Sequence, residues 1–294
     1  MRQFQTSFSP AADPLADEMI NRIMTKLEAA RPDASLAGLA QVYHAWCQHV
    51  PFDNVRKLIH VHSGDIGPLP GSTAEDFFNA WLRHGTGGTC WAGSNALHAL
   101  LSALGFPAER GIATMLVAPH LPPNHGTVMV VMEGQRYLLD ASILHGEPLA
   151  LDEQHETAVS HPAWGVTCAP REGRWHINWR PIHRTDGFEC RLECTGSSGP
   201  DHRAFYEKTR DWSPFNYELV ARRNGGNEVE GHAYGKWTTI KNDGTVVTTA
   251  PSVDERNHRL VTQLGLSEEI VARLPPDSPT PPPPGSKTAA VPDT

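Results

Sequence analysis

At 294 residues the chain is long enough for one large domain or two to three small ones, and 39% hydrophobic residues supply ample core. A net charge of −8 without a basic patch or stripe excludes nucleic acid as a partner, and no apolar run reaches the roughly 18 residues of a membrane-spanning helix. Met1 to Phe8 lacks the apolar core of a signal peptide, and five scattered cysteines, an odd number, suit a reducing compartment, so a cytoplasmic location is expected.

Residues 14 to 30 read as an amphipathic helix, with Leu15, Met19, Ile20, Ile23, Met24 and Leu27 on one stripe. Residues 35 to 48 form a second, using Leu39, Val42, Tyr43 and Trp46. Pro51 to Pro70 reads as a loop-rich connection. Ser72 to Glu75 has the pattern of a capping box and opens a third helix carrying Phe77, Phe78, Trp81 and Leu82 before Gly85.

The next stretch, Gly87-Gly88-Thr89-Cys90-Trp91-Ala92-Gly93-Ser94-Asn95, runs into Leu97, Leu100, Leu101 and Leu104 at helical spacing, with Gly105 past the C-cap. Cys90 therefore opens a helix, where unpaired backbone N–H groups and the positive end of the dipole favour a thiolate. A small buried cysteine on the edge of the core is the structural alternative. His98 lies two turns and a residue further on, too far along the axis to serve Cys90 as a base.

From Arg110 the period becomes strand-like: 112–118, 128–132, 135–140, 148–151, 175–179 and 188–192 predict a small antiparallel sheet or barrel. Val117 to Asn124 is a Pro-rich loop and a candidate rim for a substrate cleft. Two runs flank Glu133-Gly134 as a tight hairpin, with His125 opening the first strand and Asp140 closing the second. Because the start of one hairpin strand lies beside the end of the other, His125 and Asp140 are expected neighbours.

Residues 201–210 look helical and 215–223 less clearly so; 232–249 form a hairpin around Asn242-Asp243-Gly244, and 253–264 and 267–274 are closing helices. The proline-rich stretch 275–294 is expected to be a disordered or polyproline tail. Sixteen histidines, and Cys190 with Cys194, supply neither a zincin-type motif nor a second pair at metal spacing, so no metal is expected. The implied parts are 1–105 (helical bundle), 106–200 (barrel), 201–274 (lid) and 275–294 (tail).

Cysteine, histidine and aspartate in this order can act as nucleophile, base and orienter in covalent acyl transfer, provided that Cys90 meets the hairpin. These residues carry a resemblance. Gly87-Gly88-Thr89-Cys90-Trp91 with Asn95 resembles the signature of arylamine N-acetyltransferases, and His125 and Asp140 fall at that family's catalytic histidine and aspartate. Pro51-Phe52-Asp53-Asn54, Ser213-Pro214-Phe215-Asn216 and Leu260 to Leu266 resemble its flanking segments, so the likeness spans roughly residues 10 to 275. The sequence departs from the pattern at Thr86, where the family has arginine, at Ala92, where it has glutamate, and over Ala141 to Leu144.

The resemblance implies an α+β fold of helical bundle, antiparallel β-barrel and α/β lid, with a cysteine-proteinase-like arrangement of Cys90, His125 and Asp140. It implies a ping-pong reaction in which acyl-Cys90, acetyl in the family, passes from coenzyme A to an arylamine or arylhydrazine. Acetyl-coenzyme A or another acyl thioester is then a co-substrate, no cofactor is held permanently, and backbone N–H groups near Cys90 bind the oxyanion. Three alternatives use the same residues: an amide synthase releasing a polyketide or peptide chain from an acyl carrier protein, a cysteine hydrolase or transglutaminase-like enzyme, and a binding module with a relic triad.

Overall fold

The computed structural model describes residues 14–118, 121–184 and 186–283. Its N-terminal part packs α1 (Asp17–Lys26), α2 (Leu36–His49), β1 (Phe52–Asp53), α3 (Val55–His62), α4 (Ala74–His84) and α5 (Cys90–Ala103). Segment 51–70, expected to be loop, thus contains a helix. Its apolar positions Val55 and Leu58 sit three apart and are buried, but the eight-residue helix is too short for periodicity to stand out from the adjacent histidines. The cap before α4 lies one residue later than expected. Thr73 accepts from the Asp76 amide at 3.2 Å, while Ser72 turns back to the Leu69 carbonyl.

α5 is buried nearly all round, as its high content of Leu and Ala predicts, and it ends where Gly105 adopts φ +90°. It forms the axis of the main core with Trp46, Phe77, Phe78 and Trp81, and is pressed against the inner face of the sheet that follows. Trp46 stacks on Phe77 at 5.8 Å between ring centroids.

Among the described residues that sheet has eight strands: β2 (Ala108–Met115), β3 (His125–Met132), β4 (Gln135–Leu139), β5 (Leu149–Ala150), β6 (Thr157–Val159), β7 (Val166–Arg171), β8 (Arg174–Trp179) and β9 (Phe188–Cys194). Their order is β5-β4-β3-β2-β9-β8-β7-β6, antiparallel at each pairing, and Thr157 Oγ1 donates to the Ala150 carbonyl, drawing the two edges together into a nearly closed barrel. The β3–β4 turn has Glu133 at φ 51° and Gly134 at φ 80°, the left-handed pair that matches the twist of a two-residue hairpin.

The C-terminal part contains α6 (Gly199–Glu207) and a second sheet formed by β10 (Val220–Gly225), β11 (Glu228–Ala233), β12 (Lys236–Ile240) and β13 (Val246–Thr249), followed by α7 (Val253–Thr262) and α8 (Glu268–Val271). β1 joins this sheet beside β10, with Phe52 opposite Arg222. Residues 215–223, which look partly helical in sequence, are a short 3-10 turn followed by β10. The alternation of Leu219 and Ala221, buried in a core of α3 and α7, outweighs any helical tendency.

The tail differs from its sequence reading over residues 275–283. Asp277 accepts from the Leu219 amide at 2.8 Å and pairs with Arg256 at 2.7 Å, and Glu218 accepts from Thr280 through both N and Oγ1. Polar anchoring, not apolar burial, holds this stretch, so composition alone gives no sign of it. Residues 284–294 lie outside the described residues, as do Met1 to Phe8 and Pro119-His120 of the expected rim.

Candidate active site

The Pro51-Phe52-Asp53-Asn54 segment sets the loop ahead of Cys90. Asp53 Oδ2 accepts from the Gly87 amide at 2.6 Å, and the Asp53 amide donates to the Gly88 carbonyl at 3.2 Å. Burial pushes the Asp53 carboxyl up to about 6, against the amides of Gly87 and Val55 that favour its charge. Asn54 then ties the loop to the lid: its side chain donates to the Phe215 and Glu218 carbonyls at 3.0 and 2.8 Å and accepts from the Val220 amide at 2.8 Å. The sequence marked this segment through its resemblance alone; its work as a clamp between three parts of the chain is visible only in the fold.

α5 is pinned against the hairpin by Ser94, whose hydroxyl donates to the Gly126 carbonyl at 2.7 Å. Gly126 is needed there, because a Cβ would come within 2.8 Å of the Trp91 ring and 2.7 Å of His202 Nε2. Trp91 in turn stacks on Phe205 at 5.9 Å and an interplanar angle of 4°. Cys90 thereby arrives beside His125, with its Sγ 4.0 Å from the Asn124 carbonyl oxygen.

His125 and Asp140 are neighbours, as the hairpin predicts. His125 Nε2 is 2.7 Å from Asp140 Oδ2, and both residues are 1% exposed. The other ring nitrogen is left free of Asp140, and His125 lines the same cavity as Cys90. Burial alone would lower the imidazole, but the Asp140 carboxylate and Cys90 together outweigh it and raise its pKa to about 10. These charges favour the protonated ring. Burial works against the Asp140 charge as well, yet His125 and the amides of Ile143 and Ser142 hold the carboxyl well below the usual range.

The segment after Asp140, where the sequence departs from the family pattern, wraps this carboxylate. Oδ1 accepts from Ser142 N at 2.9 Å, Ser142 Oγ at 2.8 Å and Ile143 N at 2.8 Å. Tyr43, from α2, bridges the backbone: its hydroxyl accepts from Asp140 N at 3.0 Å and donates to Asp140 O at 2.9 Å. Tyr43→Phe is expected to cost about 1–3 kcal/mol in denaturant unfolding, because it leaves the buried Asp140 N–H with only the 3.4 Å contact to His145 and the carbonyl with only the Leu144 amide at 3.2 Å. An unchanged midpoint would count against this role. Ala92 replaces the family's glutamate at a crowded point, buried against Gly71 and Gly88.

Cys90, His125 and Ser142 open into a cavity of about 640 Å³, walled also by Phe52 of β1, Trp179 of β8 and the tail residues 280–283. Met115, Val117, Leu121 and Asn124 line it too, so the described part of the Pro-rich loop forms a rim. Lys57 and Arg222 are cavity-lining cations that the sequence reading did not single out. Lys57 fell in the stretch read as loop, and Arg222 in the one read as ambiguous. His98 has Ala108 and Arg110 as its neighbours, and burial takes it down to about 3. All five cysteines are unpaired, and among the described residues no group of three or more His, Cys, Asp or Glu is placed to hold a metal.

Residues 35–271 match a family model described as N-acetyltransferase. The chain belongs to the N-acetyltransferase family. Solved structures of arylamine N-acetyltransferases share the fold at low identity. The Salmonella typhimurium enzyme is 18% identical with a TM-score of 0.72, over 88% of this chain and 98% of that one. The Mycobacterium marinum enzyme in complex with CoA is 14% identical with a TM-score of 0.74, over 87% and 98%. A Bacillus cereus enzyme described as having a unique Cys-His-Glu catalytic triad is 13% identical with a TM-score of 0.69, over 86% and 100%. No curated protein matches the chain. The α+β bundle, barrel and lid expected from the resemblance are thus those of N-acetyltransferases, and among the described residues no helix is long and apolar enough to cross a membrane.

Proposed function

We propose that this N-acetyltransferase family member moves an acyl group from a coenzyme A thioester to an arylamine or arylhydrazine, through an acyl-Cys90 intermediate. The reading rests on one observation above the others: Cys90, at the head of α5, and the buried His125–Asp140 pair open on the same cavity, which is large enough for both substrates in turn.

Cys90 is the nucleophile, paired with His125. Its sulfur attacks the thioester carbonyl; the new C–S bond forms as the donor C–S bond breaks, and coenzyme A leaves with the His125 proton. Neutral His125 then takes a proton from the attacking amine as the amide forms, which restores the ion pair. Asp140 keeps the Nε2 proton in place throughout, and the first N–H groups of α5 face the developing oxyanion. The relative crystallised with CoA supports this donor, and acetyl is the simplest group to test.

Brief incubation with acetyl-coenzyme A should add one acyl group to the intact protein by mass spectrometry. Proteolysis should map it to the peptide holding Cys90, and an arylamine should discharge it. The absence of an adduct with every coenzyme A thioester tried would overturn the proposal.

A further inference from the structure

Lys57, on α3, is 3% exposed yet lines the cavity that holds Cys90. Its ammonium donates to Thr209 Oγ1 at 2.8 Å and Thr209 O at 3.2 Å, and lies 5.9 Å from the centre of the Tyr206 ring. Two of its three donors are thereby engaged, all with uncharged partners. Among the described residues no carboxylate comes within ion-pair distance of it. Glu207, the acid nearest in electrostatic terms, is engaged by Arg210 at 2.7 Å and by the Leu69 amide at 2.8 Å. Burial takes the Lys57 ammonium down to about 7, an effect that Cys90 opposes most.

A desolvated ammonium keeps its proton more readily beside a negative charge. The acyl-transfer mechanism proposed above gives Cys90 a thiolate form, and Cys90 lines the same cavity. Acylation converts the thiolate into a neutral thioester, so an acetyl group would leave Lys57 buried without a counter-charge at the stage when the acceptor must bind. An acyl group with a carboxylate at its far end would restore the pair.

The rest of the wall has the same sign. Arg222 is 4% exposed and its Nε and Nη1 have no hydrogen-bond partner among the described residues; it shares the cavity-lining face of β10 with Val220, two positions away. Arg184 is paired with Asp186 at 2.9 Å, and the lining carboxylate Glu218 is occupied by Thr280. Among the described residues the cavity therefore offers two buried cations without ion-pair partners, Lys57 and Arg222, against a single lining carboxylate, Glu218.

We propose that the acyl group this protein carries on Cys90 is dicarboxylic, of the malonyl or succinyl type, with its free carboxylate bound by Lys57. This rests on the acyl-transfer reading above. The distal carboxylate takes no part in bond-making: the donor C–S bond breaks, the Cys90 thioester forms, and coenzyme A departs with the His125 proton as before.

The test is single-turnover acylation of the full chain by acetyl-, propionyl-, malonyl- and succinyl-coenzyme A, followed by intact mass and by release of coenzyme A, for wild type and Lys57→Met. In the wild type, malonyl- or succinyl-coenzyme A should react at least about 10-fold faster than the uncharged donors. In Lys57→Met that ratio should fall on the order of 10- to 100-fold, the effect of losing one charge-assisted hydrogen bond. Because the ratio is taken within each variant, a general loss of Cys90 reactivity cancels. If Lys57→Met does not fold, the wild-type ratio decides alone. A wild type that prefers acetyl or does not discriminate, or a Lys57→Met protein that keeps the preference, would overturn the inference and leave acyl transfer standing. Failure of all four donors to load Cys90 would overturn both.

Discussion

Asp140→Asn is expected to lower acyl transfer by about 10³- to 10⁴-fold while leaving the fold intact. The reason lies in how Asp140 is held. Its Oδ1 accepts from two backbone amides and the Ser142 hydroxyl, three donors that a side-chain NH2 cannot face. The asparagine carbonyl must therefore take the Oδ1 position and its NH2 must point at His125 Nε2. That nitrogen then becomes an acceptor, the ring proton moves to the side facing Cys90, and the imidazole can neither take the thiol proton nor persist as imidazolium. Steady-state rates on an arylamine, with circular dichroism to check the fold, measure this. Activity within about 10-fold of wild type would remove Asp140 from the mechanism.

The same pair has a pH signature. The folded pKa of His125, about 10, lies above its ordinary value of 6.5, so its contribution to stability is fully present below pH 6.5 and is lost as pH rises through about 10. Asp140 stays ionised throughout that window. Lys57 runs the other way, being depressed to about 7, so wild-type stability alone does not isolate the histidine. The difference in melting temperature between wild type and Asp140→Asn does, since both carry Lys57. That gap should narrow between pH 6.5 and 10.

Gly87→Ala is expected to cost about 3 kcal/mol in stability and about 10²-fold in activity. A Cβ at this position would overlap the carbonyl oxygen of Pro51, a backbone atom that cannot swing aside as a side-chain end does. Either strand β1 or the loop must move, and the loop carries the amide that Asp53 holds at 2.6 Å and leads within three residues to Cys90. Gly225→Ala is the control, because nothing lies within 4 Å of a Cβ there and its φ is not positive. Chemical unfolding and arylamine turnover of the two variants should separate; equal effects would mean that Gly87 is not a close-packed hinge for Cys90.

The parts of this molecule legible in its sequence are those governed by local rules. The opening of a helix at Cys90 follows from the glycines before it and the leucine spacing after it. The approach of His125 and Asp140 follows from a two-residue turn that fixes the register of one hairpin, and the structure places the pair 2.7 Å apart. α3 was hidden because eight residues give periodicity too few turns, and β10 because its pattern is set by burial under elements distant in the chain. The docked residues 275–283 follow from polar contacts with Tyr217, Glu218, Leu219 and Arg256, which composition cannot register.

By itself, then, the sequence determined the identities and local geometry of Cys90, His125 and Asp140, because each depends on neighbours within one or two turns or one hairpin. Only the tertiary structure decided that the cysteine helix meets the hairpin and that Asp53 clamps the glycine loop. It also brought Lys57, 33 residues before Cys90, to the same cavity, leaving it buried with no carboxylate partner among the described residues. Those are long-range contacts. Their free energy comes from packing and desolvation that exist only once the bundle, the barrel and the lid have closed on one another.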